Sequence, residues 1–159
     1  MQDDPVTLRP YSAADETACI ALWERSWQQV YPEIDFTARR GWWRERWRDE
    51  LVPQTSIVVA ECGGAMSGFA TVDCSSGYLD QIVVAPDQWG SGIGQKLLDE
   101  AKRLSPSRLD LTVNTDNARA IRFYERQGFV RAGDGVNPHS GRPVHRMTWK
   151  GELPRIAPE

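Results

Sequence analysis

Apolar residues recur along this chain with two periods, and the switches between them set out its elements. Alternation or a short unbroken apolar run marks a strand. Such stretches are Val6 to Arg9, Ser56 to Glu61, Ser67 to Val72, Tyr78 to Val84, Leu109 to Val113, and residues 129–136 and 143–149. Ile82-Val83-Val84 is wholly β-branched, which suits a pleated strand, and Pro86 stops it. Spacings of three and four mark helices. Ile20, Trp23, Trp27 and Val30 or Tyr31 form one stripe, opened by Ser12 or Asp15 as cap and closed by Pro32. Trp43, Trp47 and Leu51 form a second, on a helix from Ala38 to about Leu51 capped by Thr37, with arginines and acids on its far side. Ile93, Leu97, Leu98, Ala101 and Leu104 form a third. Ala120, Ile121, Tyr124 and Gln127 form a fourth, capped by Asp116 or Asn117 and ended by Gly128.

Cys62-Gly63-Gly64-Ala65 reads as a hairpin turn and Ser75-Ser76-Gly77 as another, so residues 56–84 form an antiparallel meander. The Leu109 strand follows a strand–helix crossover and is expected to run parallel to the Tyr78 strand. The pattern predicts one α/β (α+β) domain over residues 1–150. Its central sheet is mixed but largely antiparallel, with about six to seven strands and about four flanking helices. Residues 151–159, with Pro154 and Pro158, read as a loose tail.

Composition narrows the classes. At 159 residues, 40% hydrophobic and 26% charged, the chain is ordinary for a globular domain. A formal net charge of −3 gives no bulk attraction to nucleic acid or an anionic membrane. No apolar run approaches the ~20 residues that span a bilayer. Met1-Gln2-Asp3-Asp4-Pro5 is acidic and lacks the apolar region of a signal peptide. Cys19, Cys62 and Cys74 are odd in number and lack metal-ligand spacing, as expected of reduced thiols in a cytoplasmic protein. Neither does the His139–His145 spacing suit a metal pair, so no metal is expected.

Candidate chemistry begins where the third strand of the meander turns through Gly90, Gly92 and Gly94 into a helix. Free amides at a helix start, with the helix dipole, form a ready phosphate site. The Walker spacing fails, because Gly94 is followed by Gln95 and Lys96 by Leu97. The dinucleotide fingerprint also fails, because the glycines alternate. The stretch instead resembles the acyl-CoA pyrophosphate loop of the Gcn5-related N-acetyltransferases (GNAT). Val84, Pro86, Gly90, Gly92, Ile93, Gly94, Leu97 and Leu98 match that pattern, and Trp89 stands where Arg or Gln is usual. A second motif of the same family follows in order, carried by Asn117, Ala120, Phe123, Tyr124, Gly128 and Phe129.

The resemblance implies a GNAT-like fold whose sheet splays between its parallel pair, and direct acetyl transfer from acetyl-CoA to an amine. It implies that the backbone of Ile82, Val83 and Val84 meets the pantetheine arm and that a Val84-region amide polarises the thioester. Amides of Trp89, Gly90, Ser91, Gly92, Ile93 and Gly94 would meet the pyrophosphate, and Asn117 the arm. Lys96, Arg119 and Arg122 are available for the phosphates, Arg122 being counted with the cofactor site. Tyr124 becomes the candidate acid, since a phenol of pKa ~10 is protonated at neutral pH. Asp80, on the Ile82 and Val84 face by alternation, is either the base or the partner of an arginine; Glu61 is a weaker alternative base. The early tryptophans either bury area or wall the acceptor site, with Tyr31, Trp42 and His139 the candidates for contact. The acceptor is expected to be a small-molecule amine. A protein N-terminus or lysine, or a non-catalytic acyl-CoA sensor, are the alternatives. A homodimer is compatible with the family.

Overall fold

The computed structural model describes residues 5–151 and carries one seven-stranded sheet among them, ordered β1-β2-β3-β4-β5-β7-β6. The strands are β1 (Val6–Pro10), β2 (Ser56–Cys62), β3 (Ala65–Asp73), β4 (Tyr78–Val84), β5 (Arg108–Asn114), β6 (Val130–Val136) and β7 (Pro143–Lys150). The helices are α1 (Glu16–Val30), α2 (Phe36–Arg46), a one-turn α3 (Val52–Gln54), α4 (Ile93–Leu104) and α5 (Ala118–Arg126). Every neighbouring pair is antiparallel except β4 and β5, which the βαβ crossover through α4 makes parallel. The tail expected at 151–159 lies, apart from Gly151, outside the described residues.

Helices cover the sheet on both faces. Val58, Ala60, Ala70, Val72 and Leu79 pack with Leu97, Leu98 and Ala101 of α4 and with Ile121 and Tyr124 of α5. Ile57, Val59, Phe69 and Val83 pack with Ile20 and Trp23 of α1 and Phe36 and Trp43 of α2. This two-sided burial is why β2 reads as the unbroken run Ile57-Val58-Val59-Ala60 rather than as an alternation.

Three local details differ from the sequence expectations. Asp35, not Thr37, caps α2: its carboxylate accepts from the Ala38 amide at 3.1 Å, whereas the Thr37 hydroxyl donates to Glu24 at 2.7 Å. After Arg46 the helix widens into a π turn over Trp47–Leu51. The Trp43 stripe faces the core, with Trp43, Trp47 and Leu51 all buried. The arginines of α2 do not all take its far side: Arg39 lies over the Phe36 ring and Arg46 over the Trp43 ring, each 5.5 Å from the centroid.

Candidate active site

β4 and β5 share one bridge, between Tyr78 and Asp110, where the Tyr78 hydroxyl also meets Thr112 Oγ1 at 3.3 Å. Beyond it the parallel strands part. The Ala85 amide donates to the Ser67 carbonyl at 2.8 Å, so Val83, two residues back, also turns its backbone groups toward β3. Ile82 and Val84 turn theirs into the gap. There the Val84 carbonyl accepts from the Ser26 hydroxyl (3.0 Å) and from the Trp89 indole (2.9 Å). The Ile82 backbone and the Val84 amide have no strand opposite them and face a cleft of about 930 Å³.

A bulge in β4 decides where Asp80 points. Thr71 pairs with Gln81 and Val72 with Leu79, which leaves Asp80 as the additional residue. Leu79, Ile82 and Val84 therefore pack on the α4–α5 side, while Asp80 turns toward α2. This corrects the alternation that put Asp80 on the Ile82 and Val84 face. Arg46 Nη1 donates to Asp80 Oδ1 at 2.9 Å and Nη2 to Oδ2, in a two-point pair, and Gln81 Nε2 donates to Oδ1 at 3.1 Å. Both side chains are nearly buried, at 14% and 13% exposure, yet both line the cleft. Glu61 instead accepts from Arg9 at 2.8 Å, and it is not among the residues lining the cleft.

At one end of the cleft the glycine loop meets α4. Gly90 and Gly92 have φ of +85° and +93°, a conformation that disfavours any side chain. The first helical bond of α4 runs from the Lys96 amide to the Gly92 carbonyl at 3.1 Å. The amides of Ile93, Gly94 and Gln95 thus precede the ladder and have no helical acceptor. The Ile93 side chain is buried in the core, and the Ser91 hydroxyl donates to the Gln88 carbonyl at 2.5 Å within the loop. The Arg119 guanidinium lies 4.2 Å from the Trp89 ring centroid, and partial burial there pushes its pKa down. Arg119 and Arg126 line the cleft; Arg122, the arginine singled out from the sequence, does not. Asn117 caps α5, its Oδ1 accepting from the Ala120 amide at 3.3 Å, which leaves its Nδ2 donor for the cleft it lines.

Tyr124 projects from α5 between Phe123 and Phe129, with ring centroids 5.4 and 5.5 Å away. It is 8% exposed and lines the cleft, and its hydroxyl has no hydrogen-bond partner among the described residues. Burial pushes its pKa up, so the phenol keeps its proton throughout the neutral range.

The other end of the cleft brings together Tyr31, Trp42 and His139. Trp42 is 42% exposed where Trp43 beside it is 1%, and its ring lies 5.1 Å from His139 of the β6–β7 loop. Tyr31 stacks on Trp27 with centroids 6.1 Å apart. Its hydroxyl donates to Asp116 (2.7 Å) and accepts from Asn114 Nδ2 (2.9 Å), tying the end of α1 to the β5–α5 loop. Burial, then the Asp116 carboxylate, pushes this phenol up to about 12. His145 faces Asp134 across β6 and β7 at 2.6 Å and is not part of the cleft.

Arg39, Arg46, Arg142 and Ser26 line the cleft without having been singled out from sequence. For α2 the signal was present. Arg39, Trp42, Trp43 and Arg46 are spaced three, one and three apart, which is a single helix face.

Comparison with known proteins places this arrangement. Residues 17–129 match the profile described as the Acetyltransferase (GNAT) family. The chain is 28% identical over 125 residues to the peptidyl-lysine N-acetyltransferase YjaB of Salmonella typhimurium, covering 78% of this chain and 83% of that one. It is 31% identical over 148 residues to the mycothiol acetyltransferase of Kineococcus radiotolerans, covering 86% of this chain but 46% of that protein. In fold it is similar to the PaiA N-acetyltransferase of Thermoplasma acidophilum, solved in complex with coenzyme A. That match has a TM-score of 0.78 at 19% identity and covers 92% of this chain and 99% of that one.

Proposed function

The chain belongs to the acetyltransferase (GNAT) family, and we propose that it transfers an acetyl group from acetyl-CoA directly to the primary amine of a small molecule. The observation that carries this reading is one cleft lined at once by a parted strand edge, a glycine-loop helix start and a largely buried phenol whose hydroxyl has no partner among the described residues. An amide-bearing pantetheine arm pairs with the free backbone groups of Ile82 as an added strand does, and the Asn117 Nδ2 donates to it. The amides from Gly90 to Gln95 take the pyrophosphate, and Arg119, held on the Trp89 ring, adds a cation where the family has Arg or Gln in the loop. The coenzyme A bound by the Thermoplasma protein supports this use of the fold.

The chain's own groups divide the reaction. The Val84 amide polarises the thioester oxygen as the amine nitrogen bonds to the carbonyl carbon. The carbon–sulfur bond breaks, and the Tyr124 hydroxyl gives its proton to the departing thiolate. Asp80, oriented by Arg46, takes the amine's proton through water, and the Tyr124 phenolate regains a proton from solvent. Fixing both reactants in one cleft supplies much of the rate by proximity. Transfer to a protein lysine is the second reading, favoured by the likeness to the peptidyl-lysine enzyme.

The test is release of free thiol from acetyl-CoA across polyamines, amino acids, aminoglycosides and short lysine peptides. Release with one small-amine class supports the reading, and release with peptides alone moves it to the second. Saturable acetyl-CoA binding without release on any amine would make the protein an acyl-CoA sensor.

A further inference from the structure

The acceptor half of the cleft carries a charge pattern that narrows the amine. Among the described residues lining the whole cleft are five arginines, Arg39, Arg46, Arg119, Arg126 and Arg142, and a single acid, Asp80. This excess of cations stands in a chain whose formal net charge is −3. Arg119 and Arg126 belong to α5, at the end taken by the acyl donor, which leaves Arg39, Arg46 and Arg142 for the acceptor. Arg46 already holds Asp80 by two bonds. Arg142 is only loosely paired, at 3.5 Å to Asp116 and 3.7 Å to Glu33, both well exposed, and it lies 4.7 Å above the Tyr31 ring. Arg39 has no carboxylate partner among the described residues; its contact is the Phe36 ring.

A polycation would find little here. Each ammonium beyond the reacting one requires a carboxylate or a ring face; the one acid of the lining is held by Arg46, and the Phe36, Trp43, Trp89 and Tyr31 rings already carry Arg39, Arg46, Arg119 and Arg142. An exposed guanidinium at the cleft, over one ring and with no carboxylate partner among the described residues, fits the opposite ligand, an anion on an apolar body. Resting on the acetyl-transfer reading, we infer that the acceptor is an amino-carboxylate. Its apolar or aromatic body lies against Trp42 and Tyr31, and its carboxylate is taken by Arg39, with Arg142 as second donor.

The experiment uses matched pairs in the thiol-release assay: phenylalanine against 2-phenylethylamine, tryptophan against tryptamine, with phosphoethanolamine and spermidine alongside. The carboxylate member of each pair should win by roughly 10- to 100-fold in kcat/KM, the range of a charge-assisted bond. Arg39→Met should erase that ratio through KM, leaving the acetyl-CoA KM unchanged. Turnover that favours tryptamine or spermidine overturns the inference while leaving acetyl transfer intact; preference for phosphoethanolamine overturns the carboxylate in favour of phosphate. Should no amine release thiol, the transfer reading fails instead. The carboxylate site is then read by tryptophan fluorescence with N-acetylphenylalanine against its neutral amide. Tighter binding of the acid, lost in Arg39→Met, supports it, and equal binding overturns it.

Discussion

Replacing Tyr124 by Phe separates a catalytic phenol from a packing one, because removing a hydroxyl bonded within the core costs stability and removing one that faces the reactants does not. The residue is 8% exposed, its hydroxyl opens on the cleft, and that hydroxyl has no partner among the described residues. A hydroxyl that makes no bond to the protein loses none on removal, whereas deleting a bonded one costs about 0.5–1.5 kcal/mol. Both rings that flank Tyr124 keep their contacts with a phenylalanine. The variant should therefore unfold at the wild-type temperature, whereas loss of a bond worth about 1 kcal/mol would lower it by about 2–4 °C in a domain of this size. Loss of the acid should lower kcat by about 100-fold, or about 2.7 kcal/mol of barrier, with the acetyl-CoA KM little changed. The sign of the pKa shift adds a check. Burial holds the phenol protonated beyond its ordinary range, so the acid form persists and wild-type kcat should show no alkaline fall from this group below pH ~10. Thermal unfolding and initial-rate thiol release on the same preparations read both quantities. A variant that is several degrees less stable yet fully active would refute the reasoning and return Tyr124 to the core.

Asp80→Asn should slow transfer most at low pH, where an amine most needs a base; an unchanged pH–rate profile in the variant would remove Asp80 from proton transfer. Arg46→Met leaves that carboxylate nearly buried without its two-point partner and should cost about 3 kcal/mol in urea unfolding, more than Asp80→Asn does. Tyr31→Phe loses one bond to Asp116 and one from Asn114, and should lower the unfolding temperature by roughly 2–6 °C; no change would mean that the α1 end does not anchor the β5–α5 loop. Arg9 holds the Asp15 carboxyl down to about 2, below its ordinary 3.8. A depressed folded pKa stabilises above the unfolded value and is lost as pH falls through the folded one. Asp15 should thus contribute about 1–2 kcal/mol that disappears between pH ~4 and ~2. Urea titrations of wild type and Asp15→Asn should converge across that window; parallel curves would contradict it.

Much of this was legible because the informative signals are local. The glycine loop, the Asn117 cap and the Cys62–Ala65 turn each depend on a few consecutive residues, and each appears where the pattern puts it. The strand order around β4 and β5 followed from one crossover. What stayed hidden depends on tertiary register. The bulge at Asp80 has no signature within β4, because alternation presumes a regular pleat, and it reversed the face of that side chain. The partners of Asp80, Trp89 and Tyr31 lie far along the chain, at Arg46, Arg119 and Asp116, and no periodicity links them. Helix spacing alone does not fix which edge of α5 overlooks the cleft, so Arg119 and Arg122 read alike as available for the phosphates although only Arg119 of the two lines it.

Direct transfer within one cleft is the central claim, and a two-step mass measurement tests it. The protein is mixed with acetyl-CoA without any amine, its intact mass is read, and an accepted amine is then added. The account predicts an unmodified protein in the first step, with thiol and acetylated amine appearing together only in the second. An acetylated protein formed before the amine arrives would contradict it.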